Sequence, residues 1–277
     1  MNAQSPMFAA AVEADLNFLR PSNERPVSYQ VAPPPGVPER TGIYDAHSVT
    51  IRNGRDLADG SALDVEGFAL IHAPSAMRDF SDDAAIHAAY YPEAASLVAK
   101  ATGASRVIVF DHNVRNAARA ASGESGIRAP VPRTHNDFTA KSGPERARRE
   151  LELRGLDAGS LLIRRFAIVN LWRPIGRPVW KSPLALADAR TVAAEDIVAA
   201  DLVYKDRTGE TYALRHNPRQ LWYYFPVMSP AEAILIKSWE SSPQAARISP
   251  HGAFEDPTSP PDAPERESIE VRALVIY

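Results

Sequence analysis

His135 and Asp137 stand two residues apart in VPRTHNDFTA (131–140), an imidazole and a carboxylate separated by one asparagine. An extended backbone repeats its side-chain direction every second residue, so both groups would leave one face and reach one point. Such a pair could grip a divalent metal, or it could be an ordinary polar turn. With 7 histidines and 34 acidic residues in the chain, chance alone supplies roughly one such triplet, and the motif decides nothing by itself. A metal needs a third ligand. Two histidines and one carboxylate, with positions left open for reactants, is the donor set of non-haem Fe(II) oxygenases.

Only His216 and His251 lie downstream of the pair. His251 is followed, after a spacer, by Arg266-Glu267-Ser268 at the head of RESIEVRALVIY. On a strand, Arg266, Ser268, Glu270 and Arg272 would share one face, and Ile269, Val271, Ala273 and Val275 the other. One face then suits a core and the other a pocket. The planar fork of an arginine donates two parallel hydrogen bonds to a carboxylate, and Ser268 would add a third. A metal-chelating keto acid with a distal carboxylate would need such an R-x-S. His216, in YALRHNPRQLWYYF, lacks that sequel and precedes an Asn-Pro turn. His251 is therefore the preferred second histidine, with His216 left open.

The rest of the sequence limits the alternatives. Cysteine is absent, which removes disulfides, thiolate zinc sites and iron–sulfur clusters. Any metal must rest on His, Asp and Glu, a set that suits iron, manganese or zinc. A net charge of -3 gives no pull toward nucleic acid or an anionic membrane. No apolar run reaches the length of a membrane span, and MNAQSPMFAAAVEADLNFLR does not pattern as a signal peptide. A cytoplasmic enzyme or binding protein is expected, with no nucleic-acid or membrane partner. A homodimer is the default on frequency alone.

The elements that must position these residues read as follows. MFAAAVEADLNFLR carries a helical period and PPPGVPERTG (33–42) an extended arm, giving a helical and extended N-terminal part over about 1–45. YDAHSVTIRNG and VEGFALIHAP suggest paired strands. DDAAIHAAYYPEAASLVAKATG (82–103) predicts a helix stopped by glycine. RVIVFDHNVRN predicts a buried strand, and GPERARRELELRG (143–155) a solvated helix. LLIRRFAIVNLW, DLVYKD, TYALRHN, LWYYFP, AILIKSW and SIEVRALVIY read as strands. No repeat or linker divides the chain, so one domain over 1–277 is expected. The fold class is mainly β with flanking helices, a sandwich or jelly roll.

Several blocks together carry a family resemblance: VIVFDHNVR, PVPRTHNDFT, VNLWRPIGRPVWKSPLALADAR, WYYFPVMSPAEAILIKSWES, and PHGAFEDP followed by RESIEVRALV. In this order, from about residue 27 to the C-terminus, the chain resembles the CmcJ/AsaB-like, NvfI-related family of Fe(II)/2-oxoglutarate-dependent oxygenases. The resemblance implies a double-stranded β-helix (jelly roll, cupin-like), an Fe(II) centre, and 2-oxoglutarate and O2 as co-substrates. By motif position it places iron on His135, Asp137 and His251, and the 2-oxoglutarate carboxylate on Arg266 with Ser268 assisting. It also puts Asn170 and Arg272 among the cofactor-binding residues, and Trp172 and Arg173 near the pocket. SWES (238–241) departs from the family string but lies outside these ligands. Members act on small molecules of secondary metabolism by hydroxylation, desaturation or oxidative rearrangement through hydrogen-atom abstraction.

Several residues have a plainer reading. Trp172 reads equally well as core packing and Arg272 as an ion pair, and His112 reads as hydrogen-bonded structure. Two other functions compete: an iron oxidase or isomerase without 2-oxoglutarate, and a non-catalytic cupin-like binding protein. The complete His, Asp, His and Arg set speaks against the last, and R-x-S favours 2-oxoglutarate.

Overall fold

The computed structural model describes residues 8–57 and 60–277. Among these residues the strands form two sheets. Across the larger sheet run β1 (Ala11–Leu19), β3 (Tyr44–Asn53), β12 (Trp222–Tyr224), β9 (Leu184–Ala187) and β14 (His251–Ala253). It continues through β7 (His135–Asn136), β11 (Thr208–Leu214), β10 (Ile197–Val203) and β2 (Val27–Tyr29). The smaller sheet has the order β4 (Phe68–His72), β13 (Glu232–Glu240), β8 (Phe166–Pro174), β15 (Glu267–Ile276), β5 (Arg106–Asn116) and β6 (Ile127–Arg128).

The sheets face each other across a shared apolar layer. Phe68, Trp172, Ile234 and Ile236 of the smaller sheet pack with Leu184, Leu186 and Tyr223 of the larger one. This is the two-layer packing of a jelly roll, in which each inner face must be apolar or line a site. β8 lies in the middle of its sheet and is buried at every position, because its other face is also covered.

That cover is helical. The run from Asp83 to Thr102 lays Ile86, Tyr90, Ala94 and Val98 on Val169, Leu171, Val271 and Ala273. Fully burying one such aliphatic side chain contributes about 1.5–3 kcal/mol. Asp82 caps the run by accepting from the Ala84 N–H at 2.9 Å, and Gly103 ends it in the left-handed region at φ 69°, as the sequence predicts. A second pair of helices, Ser142–Glu152 and Ala158–Leu161, packs Ala147, Leu151 and Ala158 against Phe166, Trp239 and Leu274. Gly143 permits that approach, since a Cβ there would sit 2.4 Å from the Trp239 ring.

Most of the downstream strands lie where the sequence put them, but several expectations are corrected. The N-terminal part is not helical. Val12, Ala14, Leu16 and Phe18 alternate with exposed or half-buried Glu13, Asp15 and Asn17 in β1, and pairing along the whole length of β3 holds them extended. Residues 1–7 of the proposed helix lie outside the described residues. YDAHSVTIRNG and FALIH are not partners: β3 pairs with β1 and β12, while β4 pairs with β13 in the other sheet. LLIRR precedes β8, its first residue closing the helical turn Ala158–Leu161. The helix of GPERARRELELRG is not simply solvated, because Glu150 is buried between Arg146 and Arg154.

Candidate metal centre

β7 and β14 are two and three residues long, and their antiparallel pairing sets His135 directly opposite His251. The rings approach with centroids 4.8 Å apart. Asp137 follows β7 immediately, and its Oδ1 lies 3.7 Å from His135 Nε2. His135, Asp137 and His251 each offer a ligand atom within 4.8 Å of the other two. Gly252 assists, because the Arg133 carbonyl passes where a Cβ would come within 3.2 Å of it.

Each imidazole is fixed from behind. His135 Nδ1 donates to the Arg133 carbonyl at 2.9 Å, and His251 Nδ1 donates to the Ser249 carbonyl at 3.0 Å. Those bonds leave Nε2 as the nitrogen with a free lone pair, the usual second support of a metal-binding histidine. Burial pushes the His135 imidazole down to about 3, helped by the neighbouring His251, so the ring is neutral at ordinary pH. Burial alone would raise the Asp137 carboxyl. The Arg272 charge, with the two imidazoles, outweighs it and holds the group well below the usual carboxylate range. A neutral imidazole at His135 and an ionised carboxylate at Asp137 suit metal binding, which needs deprotonated ligands.

Asp137 is oriented through its other oxygen. Oδ2 accepts from Asn170 Nδ2 at 2.7 Å and from Arg272 Nε at 2.8 Å. Asn170 is held in turn by the Ser238 hydroxyl at 2.9 Å, and the Ser238 carbonyl accepts from Asn136 Nδ2 at 2.8 Å. The remaining Arg272 nitrogens go to Asp111 and Glu270. Asn170 and Arg272 therefore both turn to the Asp137 carboxylate.

Arg266 is different. It is 2% exposed, lies over the Trp172 ring at 5.6 Å and donates from Nη1 to the Ser182 carbonyl. Ser182 holds that carbonyl from a left-handed backbone, φ 49°. The Arg266 Nε has no partner, and neither has the buried Ser268 hydroxyl two residues on. Burial pushes the Arg266 guanidinium down to about 9, with the Arg115 charge adding to the shift. A buried cation and a buried hydroxyl left unpaired are costly unless a ligand completes them. A carboxylate fits both.

The other sequence candidates are placed elsewhere. His216 stacks on His47 with centroids 4.3 Å apart, against Phe18, away from the cluster. Arg173, one residue past Trp172, faces the helix, over Tyr90 and 3.5 Å from Glu93, because strand neighbours alternate faces. Trp172 belongs to the inter-sheet core and also underlies Arg266. Sequence reasoning missed Arg115. It lies opposite Ser268 on β5, on the face that carries Asp111 and Asn113, and the alternation in DHNVRN held that signal. A cavity of about 900 Å³ opens onto His135, Asp137, Arg272 and Arg115.

Comparison with known proteins shows the family. A family model described as an oxidoreductase/YMDC permease-like domain matches residues 16–276. Among the described residues no helix is long and apolar enough to cross a membrane. The chain is 32% identical over 273 residues to the Fe(II)/2-oxoglutarate-dependent dioxygenase nvfI of Aspergillus novofumigatus, covering 95% of this chain and 96% of that protein. It is 35% identical over 256 residues to the alpha-ketoglutarate-dependent dioxygenase phiK of a fungal species, covering 85% and 91%. The solved structure of the iron and alpha-ketoglutarate-dependent endoperoxidase NvfI superposes with a TM-score of 0.85 at 30% identity, over 96% of this chain and 98% of that one.

Proposed function

We propose, for a chain that belongs to the oxidoreductase/YMDC permease-like family and to the Fe(II)/2-oxoglutarate-dependent dioxygenases, that His135, Asp137 and His251 hold the iron and that Arg266 and Ser268 take the distal carboxylate of 2-oxoglutarate. The enzyme is an oxidoreductase that acts on a small organic molecule of secondary metabolism. Iron bound at this centre supplies oxidation by dioxygen, with 2-oxoglutarate as the co-substrate that is decarboxylated to succinate.

The observation that carries the reading is the pair of unpartnered buried donors, Arg266 Nε and Ser268 Oγ. An iron oxidase or isomerase without 2-oxoglutarate would have no use for a cation buried at that cost. The protein's own part is binding and orientation. The two backbone carbonyls fix the histidine tautomers, Asn170 and Arg272 turn Asp137, and the inter-sheet layer keeps water from the inner side of the site.

The substrate would enter by the cavity. Its walls carry eight arginines against four acidic residues, although the chain as a whole is net acidic at -3. Arg115 and Arg133 there are both pushed down by burial. Arg115 donates to the Ala129 carbonyl at 2.8 Å and Arg133 lies over the Tyr44 ring. Such walls favour a substrate with an acidic group. The same proposal takes the chain as one catalytic domain, cytoplasmic, homodimeric and without nucleic-acid or membrane partners, supported by the acidic balance and by how common that state is.

Anaerobic addition of Fe(II) and then 2-oxoglutarate tests it. The visible metal-to-ligand charge-transfer band should form in the parent, be absent in His135→Ala, and need far more 2-oxoglutarate in Arg266→Ala. Bound iron without a band would replace this reading with the oxidase.

A further inference from the structure

A second cluster of metal-ligand type lies outside this centre. Asp83 and His87 are one helical turn apart, and His112 reaches them from β5. One ligand atom from each residue lies within 4.8 Å of the other two. His112 is mostly buried, at 11% side-chain exposure, whereas Asp83 is 79% and His87 50% exposed. The cluster is therefore open to ions from solvent but has one wall fixed in the sheet.

Two independent features show that the rings are set for the task. First, the chain from Ile86 to Tyr90 is wound as a π-helix between two α-helical pieces. That winding is uncommon, less favourable than α, and concentrates at functional positions. Here it falls on His87 and ends next to Tyr91. Second, Nδ1 of each ring is already engaged, and on His87 that nitrogen also lies 3.2 Å from Asp83 Oδ2. His87 Nδ1 donates to the Asp83 carbonyl at 2.8 Å, and His112 Nδ1 pairs with the Tyr91 hydroxyl at 3.0 Å. Nε2 remains on each histidine, and on His112 it faces Asp83 Oδ1 at 3.5 Å. His135 and His251 are supported in the same way, through Nδ1, at the first centre. A backbone carbonyl or polar group behind the ring is the arrangement that orients a metal-binding imidazole.

We infer that Asp83, His87 and His112 form a second metal site, for a divalent borderline transition ion of the zinc class. Two imidazole nitrogens and one carboxylate oxygen are the ligands such an ion prefers, with water as the fourth. Calcium and magnesium, which take oxygen donors, are disfavoured. The ion would fasten the start of the long helix to β5. His112 and Val271 are register partners on the helix-facing side of that strand, while Asp111 and Arg115 point from its other side into the cavity. The site is structural, and the oxidation at the first centre does not pass through it.

Equilibrium dialysis of the full chain against micromolar Zn(II), with bound metal counted by mass spectrometry, tests the inference. The expected count is two ions per chain in the parent, one in His87→Ala, one in His135→Ala and none when both are replaced. His87 is half exposed, so its replacement leaves the fold intact, and a circular-dichroism melt checks that. Tyr91→Phe should keep both ions but weaken one by roughly 10–100-fold, the usual cost of losing a supporting bond. A parent whose bound metal is unchanged by His87→Ala, whether it holds one ion or two, overturns the second site. Loss of the ion in His135→Ala alone reports on the first centre and is read separately.

Discussion

Asp137 and Arg272 meet through one carboxylate oxygen. Arg272 Nε donates to Oδ2 at 2.8 Å, and Asn170 donates to the same atom at 2.7 Å. The other oxygen, Oδ1, is left facing His135 Nε2 at 3.7 Å. The carboxylate therefore cannot rotate freely, and Oδ1 is the oxygen it presents to the two histidines. An arginine on β15 and the residue after the two-residue β7 are thus joined into one unit across the two sheets.

Replacing Arg272 should loosen that ligand before it touches anything else. In Arg272→Gln the Fe(II) dissociation constant should rise roughly 10–100-fold, as for other losses of a supporting group. Asp137, Asp111 and Glu270 would also lose their shared cation. A buried pair broken on one side costs about 3–5 kcal/mol, so the melting temperature should fall too. Anaerobic iron titration well below the melt separates the two effects. Unchanged affinity would show that Asn170 alone orients the carboxylate.

Arg266 and Ser268 should govern the co-substrate and leave the metal alone. A hydrogen bond to a charged group contributes about 1.5–3 kcal/mol. Ser268→Ala should therefore raise the KM for 2-oxoglutarate roughly 10–100-fold, and Arg266→Ala by more, with Fe(II) binding unchanged. Arg266→Lys should recover part of the loss, because a point charge replaces a two-pronged donor. Equal 2-oxoglutarate affinity in all three variants would remove these residues from the co-substrate site.

How much of this was legible in the sequence depends on the element. The face division of β15 was readable because its alternation is clean: Ile269, Val271, Ala273 and Val275 pack under the helix, and Glu270 and Arg272 point inward. β7 and β14 were not readable as strands. Two or three residues carry no period, and only pairing with each other and with neighbours defines them. β1 failed differently: its apolar residues fit a helical period, but its alternating burial follows from β3 alongside it. Asn170 was read as a cofactor-binding residue near the pocket, and its hold on Asp137 needed the contact between β8 and the end of β7, which no local pattern encodes.

Acid should weaken the metal-free fold through His135. Its imidazole is held at about 3 in the folded chain and near 6.5 in the unfolded one. Between these values the unfolded chain binds the proton and the folded chain does not, so stability falls as the pH drops through that window. The slope is at most about 1.4 kcal/mol per pH unit. Asp137, held low by Arg272 against the effect of burial, adds a loss in the same direction below about pH 4. The melting temperature of apo-protein should fall from pH 7 to pH 5, and His135→Gln should flatten that fall. An equal slope in both proteins would mean that His135 is free to protonate in the fold.

The cavity wall makes a claim about the substrate. Eight arginines face four acidic residues there, and Asp111 and Asp137 are already committed to Arg272. Arg115 and Arg133 keep their charge against burial with a carbonyl and a phenol ring as company. A carboxylate placed between such groups gains charge-assisted bonds that its methyl ester cannot make. Succinate release by the iron-loaded enzyme, followed with aryl and terpenoid carboxylic acids beside their methyl esters, should be stimulated more by the acids. Arg115→Gln or Arg133→Gln should narrow that gap by roughly 10-fold or more, the value of one charged hydrogen bond. Esters that stimulate as well as acids would leave the arginines as wall structure and shift selection to the apolar lining.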